Sequence, residues 1–151
     1  MKKIITAFVL FSLILTACKP AEKPIEKNET LLKYYETSEE YFDYISPFFT
    51  FRLPEYWQNK YFVDIFADHE DFYEMTSYDE NGTGLIFSIY SYEDDSYKNN
   101  HENYRYLCYS EDAKKHYVIV YPDEEKYIES AKQVYSDLKE SISVVLYTFK
   151  A

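Results

Sequence analysis

The chain has 151 residues, which is room for one domain, because a single hydrophobic core usually comprises about 100–150 residues. It holds 19 tyrosines and 11 phenylalanines, so a few large rings can fill a small core and many tyrosines must lie half exposed. The formal net charge of −11 repels nucleic-acid phosphates and anionic lipid surfaces, so we expect no nucleic-acid partner.

Residues 1–17 have the pattern of a secretory signal peptide. Lys2 and Lys3 precede an uncharged apolar run that ends at Leu15, shorter than the roughly 20 residues needed to span a bilayer. The sequence Leu15-Thr16-Ala17-Cys18 resembles the bacterial lipobox, in which an apolar residue and two small ones precede an obligatory cysteine. The resemblance implies that Cys18 is acylated and that a peptidase cuts before it. An ordinary secretory signal with an incidental Cys18 is the alternative.

The lipobox predicts a lipoprotein that is anchored on the extracytoplasmic face of the cell membrane. Removal of the signal peptide leaves 14 basic against 27 acidic residues, a net charge of −13. Residues 19–30 are rich in lysine, glutamate and proline and contain no aromatic residue, so we predict that residues 18–30 comprise the lipidated cysteine and a flexible tether. Twelve extended residues span about 40 Å. Residues 31–151 form the predicted single domain.

The first predicted element of this domain is a short helix that starts at Thr37. Thr37 and Glu40 form a capping-box pattern, and Pro47 would end the helix. The hydrophobic period then changes to two, which predicts strands over 48–53, 61–66, 71–77, 85–92, 104–109 and 116–121. Asn81-Gly82 reads as a hairpin turn with positive φ between the third and fourth of these strands.

The C-terminal segment is the strongest helix prediction. Pro122 and Asp123 would open it, and Lys150 would suit its negative end. Apolar residues repeat every three or four positions and draw one stripe along the helix: Tyr127, Ala131, Val134, Leu138, Ile142, Val145 and Phe149. These elements predict an α+β domain in which a single antiparallel sheet is packed by a long C-terminal helix and a short N-terminal helix.

The stretch from 47 to 150 resembles small secreted bacterial proteins and lipoproteins of PsbP-like fold. The similarity lies in FRLPEYW at 51–57, in the strand YFVDIF, in GTGLIFSIYSYED, and in the hairpin to HYVIVYP before an amphipathic helix. The resemblance implies an accessory or binding domain without catalytic residues. It also implies that Trp57, the only tryptophan, packs against the sheet, so we expect Trp57 to be largely buried.

Few residues suggest catalysis. With Cys18 acylated, Cys108 is the only remaining thiol, and its strand-like surroundings favour a buried small side chain. His116 lies across a predicted hairpin, so a Cys108/His116 pair stays a weak alternative. The acidic groups at 68–71 and 93–95 lack the spacing of a calcium loop, and the three histidines lack zinc spacing. We therefore expect no metal and no cofactor.

Tyrosine is the most suggestive residue type for a binding surface. The segment at 90–110 interleaves tyrosine with amides and acids, a mixture suited to a protein or polysaccharide partner. We predict a non-enzymatic binding or assembly role, with the ligand-binding residues unknown. The alternatives are a cell-wall carbohydrate-binding module, which needs coplanar exposed aromatics in a row, and a glycosidase, which needs two carboxylates about 5–10 Å apart.

Overall fold

The computed structural model describes residues 23–151, and its first helix lies earlier than the sequence pattern predicts. Asn28 caps α1, Glu29–Thr37, by accepting a backbone N–H of the first turn at 3.0 Å. Thr37 is therefore the last residue of a helix and caps no helix, so the predicted helix from Thr37 is wrong. The following segment is a strand, because Phe42 and Tyr44 lie two residues apart and both pack on the core.

Within residues 23–151, the structure has seven strands in two sheets, with bounds β1 Tyr41–Ile45, β2 Thr50–Pro54, β3 Tyr61–Ile65, β4 His69–Glu74, β5 Leu85–Tyr92, β6 Tyr104–Ser110 and β7 Lys115–Val120. Strands β1 and β2 pair with each other, and the other five form an antiparallel sheet in the order β3-β4-β5-β7-β6. The α+β class is confirmed, and the single sheet is wrong. A 3-10 turn at Glu55–Trp57 redirects the chain after Pro54 and separates the two sheets.

Individual strand predictions were mostly accurate. The strands at 61–66, 85–92, 104–109 and 116–121 are confirmed to within one residue at each end. The predicted strand at 71–77 ends early because the Glu74 carboxylate accepts the backbone N–H groups of Thr76 and Ser77, at 3.0 and 2.7 Å, and so caps α2, Met75–Asn81. Gly82 has the positive φ that was predicted, 70°, but it ends this helix and makes no hairpin.

The C-terminal helix is interrupted. The helices after β5 are α3 Tyr97–Asn100, α4 Lys132–Glu140 and α5 Ile142–Thr148, and a 3-10 turn at Glu129–Ala131 precedes α4. Pro122 and Asp123 therefore do not open the helix, and the prediction of one long helix is wrong. The apolar stripe nevertheless faces the core across the break: Leu138 and Ile142 on its two sides are buried, and Tyr127 and Val134 are half-buried.

The core lies between the five-stranded sheet and a second layer made by β2, the 3-10 turn after it, α4 and α5. The sheet contributes Phe72, Phe87, Ile89, Tyr117 and Ile119, and the second layer contributes Phe51, Leu53, Trp57, Leu138, Val145 and Phe149. Trp57 is 0% exposed, which confirms the expectation that it is buried.

Contacts with the folded domain begin inside the segment predicted as a tether. Ile25 packs against the core, and the Lys27 ammonium donates to the Phe149 carbonyl at 3.1 Å. The boundary at residue 31 stays a prediction, as does acylation of Cys18, which lies outside the described residues.

Candidate functional site

The strand register places a row of rings on the face of the five-stranded sheet that points away from the core. His69 is paired with Tyr90, and Tyr92 is paired with His116, so these four side chains share one face. Tyr117, the neighbour of His116, lies in the core on the other side. We call the face that carries the histidines the outer face.

Three aromatic contacts join rings across the outer face. Phe66 and His69 stack at 4.4 Å and 11°, and His69 and Tyr90 stack at 4.4 Å and 9°. Tyr90 contacts His101 with ring centroids 4.5 Å apart. We call these four residues the aromatic row. The two stacking neighbours, Phe66 and Tyr90, cover both faces of the His69 ring, so His69 offers no open ring face to a ligand.

Two carboxylates hold His69 in this stack. Its Nδ1 lies 2.8 Å from the Asp68 carboxylate, and its Nε2 lies 3.8 Å from the Asp71 carboxylate. The hydrogen bond with His69 holds the pKa of Asp68 below its ordinary value. Ser88 donates its hydroxyl to Asp71.

The set Ser88, Asp71 and His69 contains the residue types of a hydrolase triad in the wrong order. In a working triad the histidine lies between the serine and the acid and takes the serine proton. Here the serine donates directly to the acid, a poor base, and Ser88 is buried. This arrangement positions side chains and does not activate the serine.

His101 forms the second polar end of the aromatic row. Its Nε2 lies within hydrogen-bonding distance, 2.6 Å, of the Tyr92 hydroxyl, and the tautomer of the ring decides which of the two atoms donates. Burial lowers the pKa of His101, and the charge of His69 lowers it further, whereas Asp123 opposes this shift. The neutral form of His101 is therefore the one that the fold favours.

His116 anchors a second cluster on the outer face. Its Nδ1 lies 3.1 Å from the Tyr106 hydroxyl, and its ring lies 4.8 Å from Tyr109 and 5.6 Å from Tyr97. Tyr109 is 38% exposed. All three histidines of the chain therefore lie on one face among tyrosines, which their sequence positions did not reveal.

A groove of about 380 Å³ opens beside the aromatic row. Its lining comprises Leu85, Ser88, Tyr90, Asn100, His101, Glu102, Asn103, Val120, Tyr121, Pro122 and Asp123. Among the described residues no lysine or arginine lines it, so the groove suits a neutral polar or cationic ligand. Glu102 and Asp123 both line this groove although 21 positions separate them, and both are exposed. No sequence signal selected this pair.

The Cys108/His116 pair is not formed. Cys108 pairs with Tyr117 and packs against the core, whereas His116 lies on the outer face. Burial raises the pKa of the Cys108 thiol, and Lys27 offsets part of that shift. The sheet lies between the thiol and the histidine.

Sequence reasoning also missed a buried carboxylate. Glu70 is 2% exposed and accepts the hydroxyls of Tyr44 at 2.7 Å and Ser46 at 2.5 Å. These bonds join the two-stranded sheet to the five-stranded sheet. The acidic run at 68–71 thus alternates between the outer face and the interior.

Residues 23–151 contain no cluster of three or more acidic, histidine or cysteine side chains placed to hold a metal ion. Within the same range, no helix has the length and apolar character needed to cross a membrane. No protein-family model, no curated protein and no solved structure matches the chain.

Proposed function

We propose that the protein is a lipoprotein, anchored through Cys18 on the extracytoplasmic face of the cell membrane, whose domain has a non-catalytic binding or assembly role. The observation that supports a binding role is the outer face, which is rich in tyrosine and histidine. The lipobox supports the anchor and the location. We also propose that the domain has a PsbP-like fold. An α+β architecture with helices over one face of the sheet is compatible with that fold.

A protein partner suits the outer face best. Tyrosine supplies rigid contact area with a polar tip and is enriched where proteins meet. The hydroxyls of Tyr92 and Tyr106 bond to histidines within the face and fix its shape, and the exposed ring of Tyr109 is available for contact with a partner. Since His69 is covered on both faces, little flat ring surface is open for a sugar.

Carbohydrate binding is the second candidate, because the groove beside Tyr90 combines a ring with amide and acid groups. Asn100 and Asn103 offer donors and acceptors for sugar hydroxyls. A glycosidase would use Glu102 and Asp123, but a general acid needs an apolar setting to stay protonated, and both of these residues are exposed.

Site-specific photo-cross-linking in the native cells tests the protein-partner proposal. A photoreactive phenylalanine replaces Tyr109 on the outer face, and the matched control replaces Tyr56, which is 44% exposed on the opposite layer. We expect a discrete cross-linked species from position 109 and none from position 56. Equal capture at both positions, or no capture at either position in correctly localised protein, would overturn the outer face as the binding surface.

The carbohydrate candidate is tested by pull-down on isolated cell-wall polysaccharide. Binding that is lost in Asn103→Ala, with unchanged thermal unfolding, would favour it over a protein partner. If the polysaccharide binds neither the wild type nor the variant, the carbohydrate-binding candidate is rejected.

A further inference from the structure

We propose that one end of the domain rests on the lipid bilayer through four apolar side chains at two neighbouring turns. They are Ile45 at the end of β1, Phe48 in the turn that follows it, Ile65 at the end of β3, and Phe66 in the turn that follows that strand. We call them the apolar tip. This inference rests on the proposed acylation of Cys18 and adds the orientation of the domain.

The apolar tip is exposed in a way that folding alone does not explain. Ile45 is 74% exposed, Phe48 54%, Ile65 60% and Phe66 44%. Phe48 and Phe66 line the same small cavity of about 10 Å³, so the two turns are neighbours in space. Large apolar side chains grouped on a surface commonly mark contact with a membrane or a partner.

The start of the described chain lies beside this end. The Lys27 ammonium bonds to the Phe149 carbonyl, and the next residue, Lys150, exchanges backbone hydrogen bonds with Thr50 at 2.7 and 2.8 Å. Thr50 is the register partner of Ile45. Two backbone pairings therefore link the residues next to Lys27 with the turn at Phe48. The first joins Lys150 to Thr50, and the second joins Thr50 to Ile45.

The length of chain between the anchor and the domain limits how far this end can move from the membrane. Ile25, which already packs on the core, lies seven positions after Cys18. Fully extended, this stretch spans about 25 Å. The apolar tip therefore stays within reach of the bilayer to which Cys18 is attached, which makes lipid its natural occupant.

The chemistry of the contact is apolar and not electrostatic. The mature chain carries a net charge of −13, so anionic lipids repel the domain as a whole. Phenylalanine and isoleucine side chains partition into the interfacial zone of a bilayer without needing lipid charge. The contact should therefore form on zwitterionic lipid and persist at high salt.

The test uses full-length protein acylated in cells, purified in detergent and reconstituted into phosphatidylcholine vesicles. Cys108→Ala removes the other thiol, and a polarity-sensitive dye is attached through Phe48→Cys. The matched control is Asn81→Cys, exposed at the opposite end of the sheet, where α2 meets β5. Nitroxide-labelled lipids serve as quenchers within the bilayer.

We expect dye emission at position 48 to rise several-fold and shift to the blue on reconstitution, and to be quenched by the nitroxide lipids in low and high salt alike. Emission at position 81 should not change. Identical behaviour at the two positions would overturn the proposal. A change at position 48 that needs high protein concentration and no lipid would also overturn it, because a second copy would then be the occupant.

Mass spectrometry of the same sample separates this inference from the proposed function. An acylated protein whose position 48 stays water-exposed contradicts only the orientation. A protein without acyl chains contradicts the anchor, and with it the proposed location.

Discussion

The indole Nε1 of Trp57 donates a 2.6 Å hydrogen bond to the Ser141 hydroxyl, which itself donates to the Leu138 carbonyl at 2.8 Å. Ser141 is the residue between α4 and α5. The only tryptophan of the chain therefore joins the turn after β2 to the break in the C-terminal helix, and its polar atom is satisfied inside the core.

Replacing Trp57 with alanine should lower the free energy of unfolding by about 3–5 kcal/mol, because a fully buried ring is lost and Ser141 loses its donor. Urea denaturation measures this loss. The matched control Tyr56→Ala removes an exposed ring and should cost less than about 1 kcal/mol. Similar losses for the two variants would contradict the burial of Trp57 as the source of stability.

Glu70→Gln should lower the free energy of unfolding by about 1–3 kcal/mol, because the amide offers one acceptor oxygen where two hydroxyls now donate to a carboxylate. Thermal and urea unfolding both report this change. Glu80→Gln on the exposed end of α2 is the control, with an expected effect within about 0.5 kcal/mol. If Glu70→Gln has the same free energy of unfolding as the wild type, the hydrogen bonds of Glu70 do not stabilise the packing of the two sheets.

Stability should fall in mildly acidic solution, in part because of His101. Its pKa is lower in the folded protein than the ordinary value of 6.5, first through burial and then through His69. The unfolded chain therefore takes up the proton first, and the stability is lost as pH falls through about 6.5. His101→Gln should flatten the slope of unfolding free energy between pH 7.5 and about 5.5. An unchanged slope would contradict the burial of a neutral imidazole.

Cys108 should react slowly with iodoacetamide, because the thiol is half buried and burial raises its pKa. Alkylation at pH 8 should be at least about tenfold slower in the folded protein than in urea. His116→Ala should leave the folded-state rate unchanged, since the sheet separates the two side chains. A rate that falls with this substitution would restore the thiol-enzyme alternative.

The sequence predicted the strands well wherever a period of two ran without a break. The segment LIFSIYSY predicted β5, because Phe87 and Ile89 alternate with polar residues. In the structure, Phe87 and Ile89 are buried in the core. The class of the fold followed from this period together with the apolar stripe near the C-terminus.

Two of the errors arise from side-chain hydrogen bonds that the apolar period does not reveal. Glu74 ends a strand by capping the next helix, and Ser141 lies at the break of a helix while bonding to Trp57, 84 positions away. The pattern of apolar residues does not predict which group a polar side chain will bond to.

The candidate site was the least predictable part. The tyrosine-rich segment was identified, but the histidine stack depends on the register of β4, β5 and β7. His69 is the first residue of β4, His101 follows α3, and His116 lies in β7. Only the folded sheet brings these three histidines to one face.

Incorporation of labelled palmitate tests the proposed acylation of Cys18 most directly. Wild-type protein grown in its native cells should carry the label and fractionate with membranes. Cys18→Ala should carry no label, while its folded domain unfolds at the same temperature as the wild-type domain. A wild-type protein without label, or a labelled Cys18→Ala variant, would contradict the assignment of this chain as a lipoprotein anchored at Cys18.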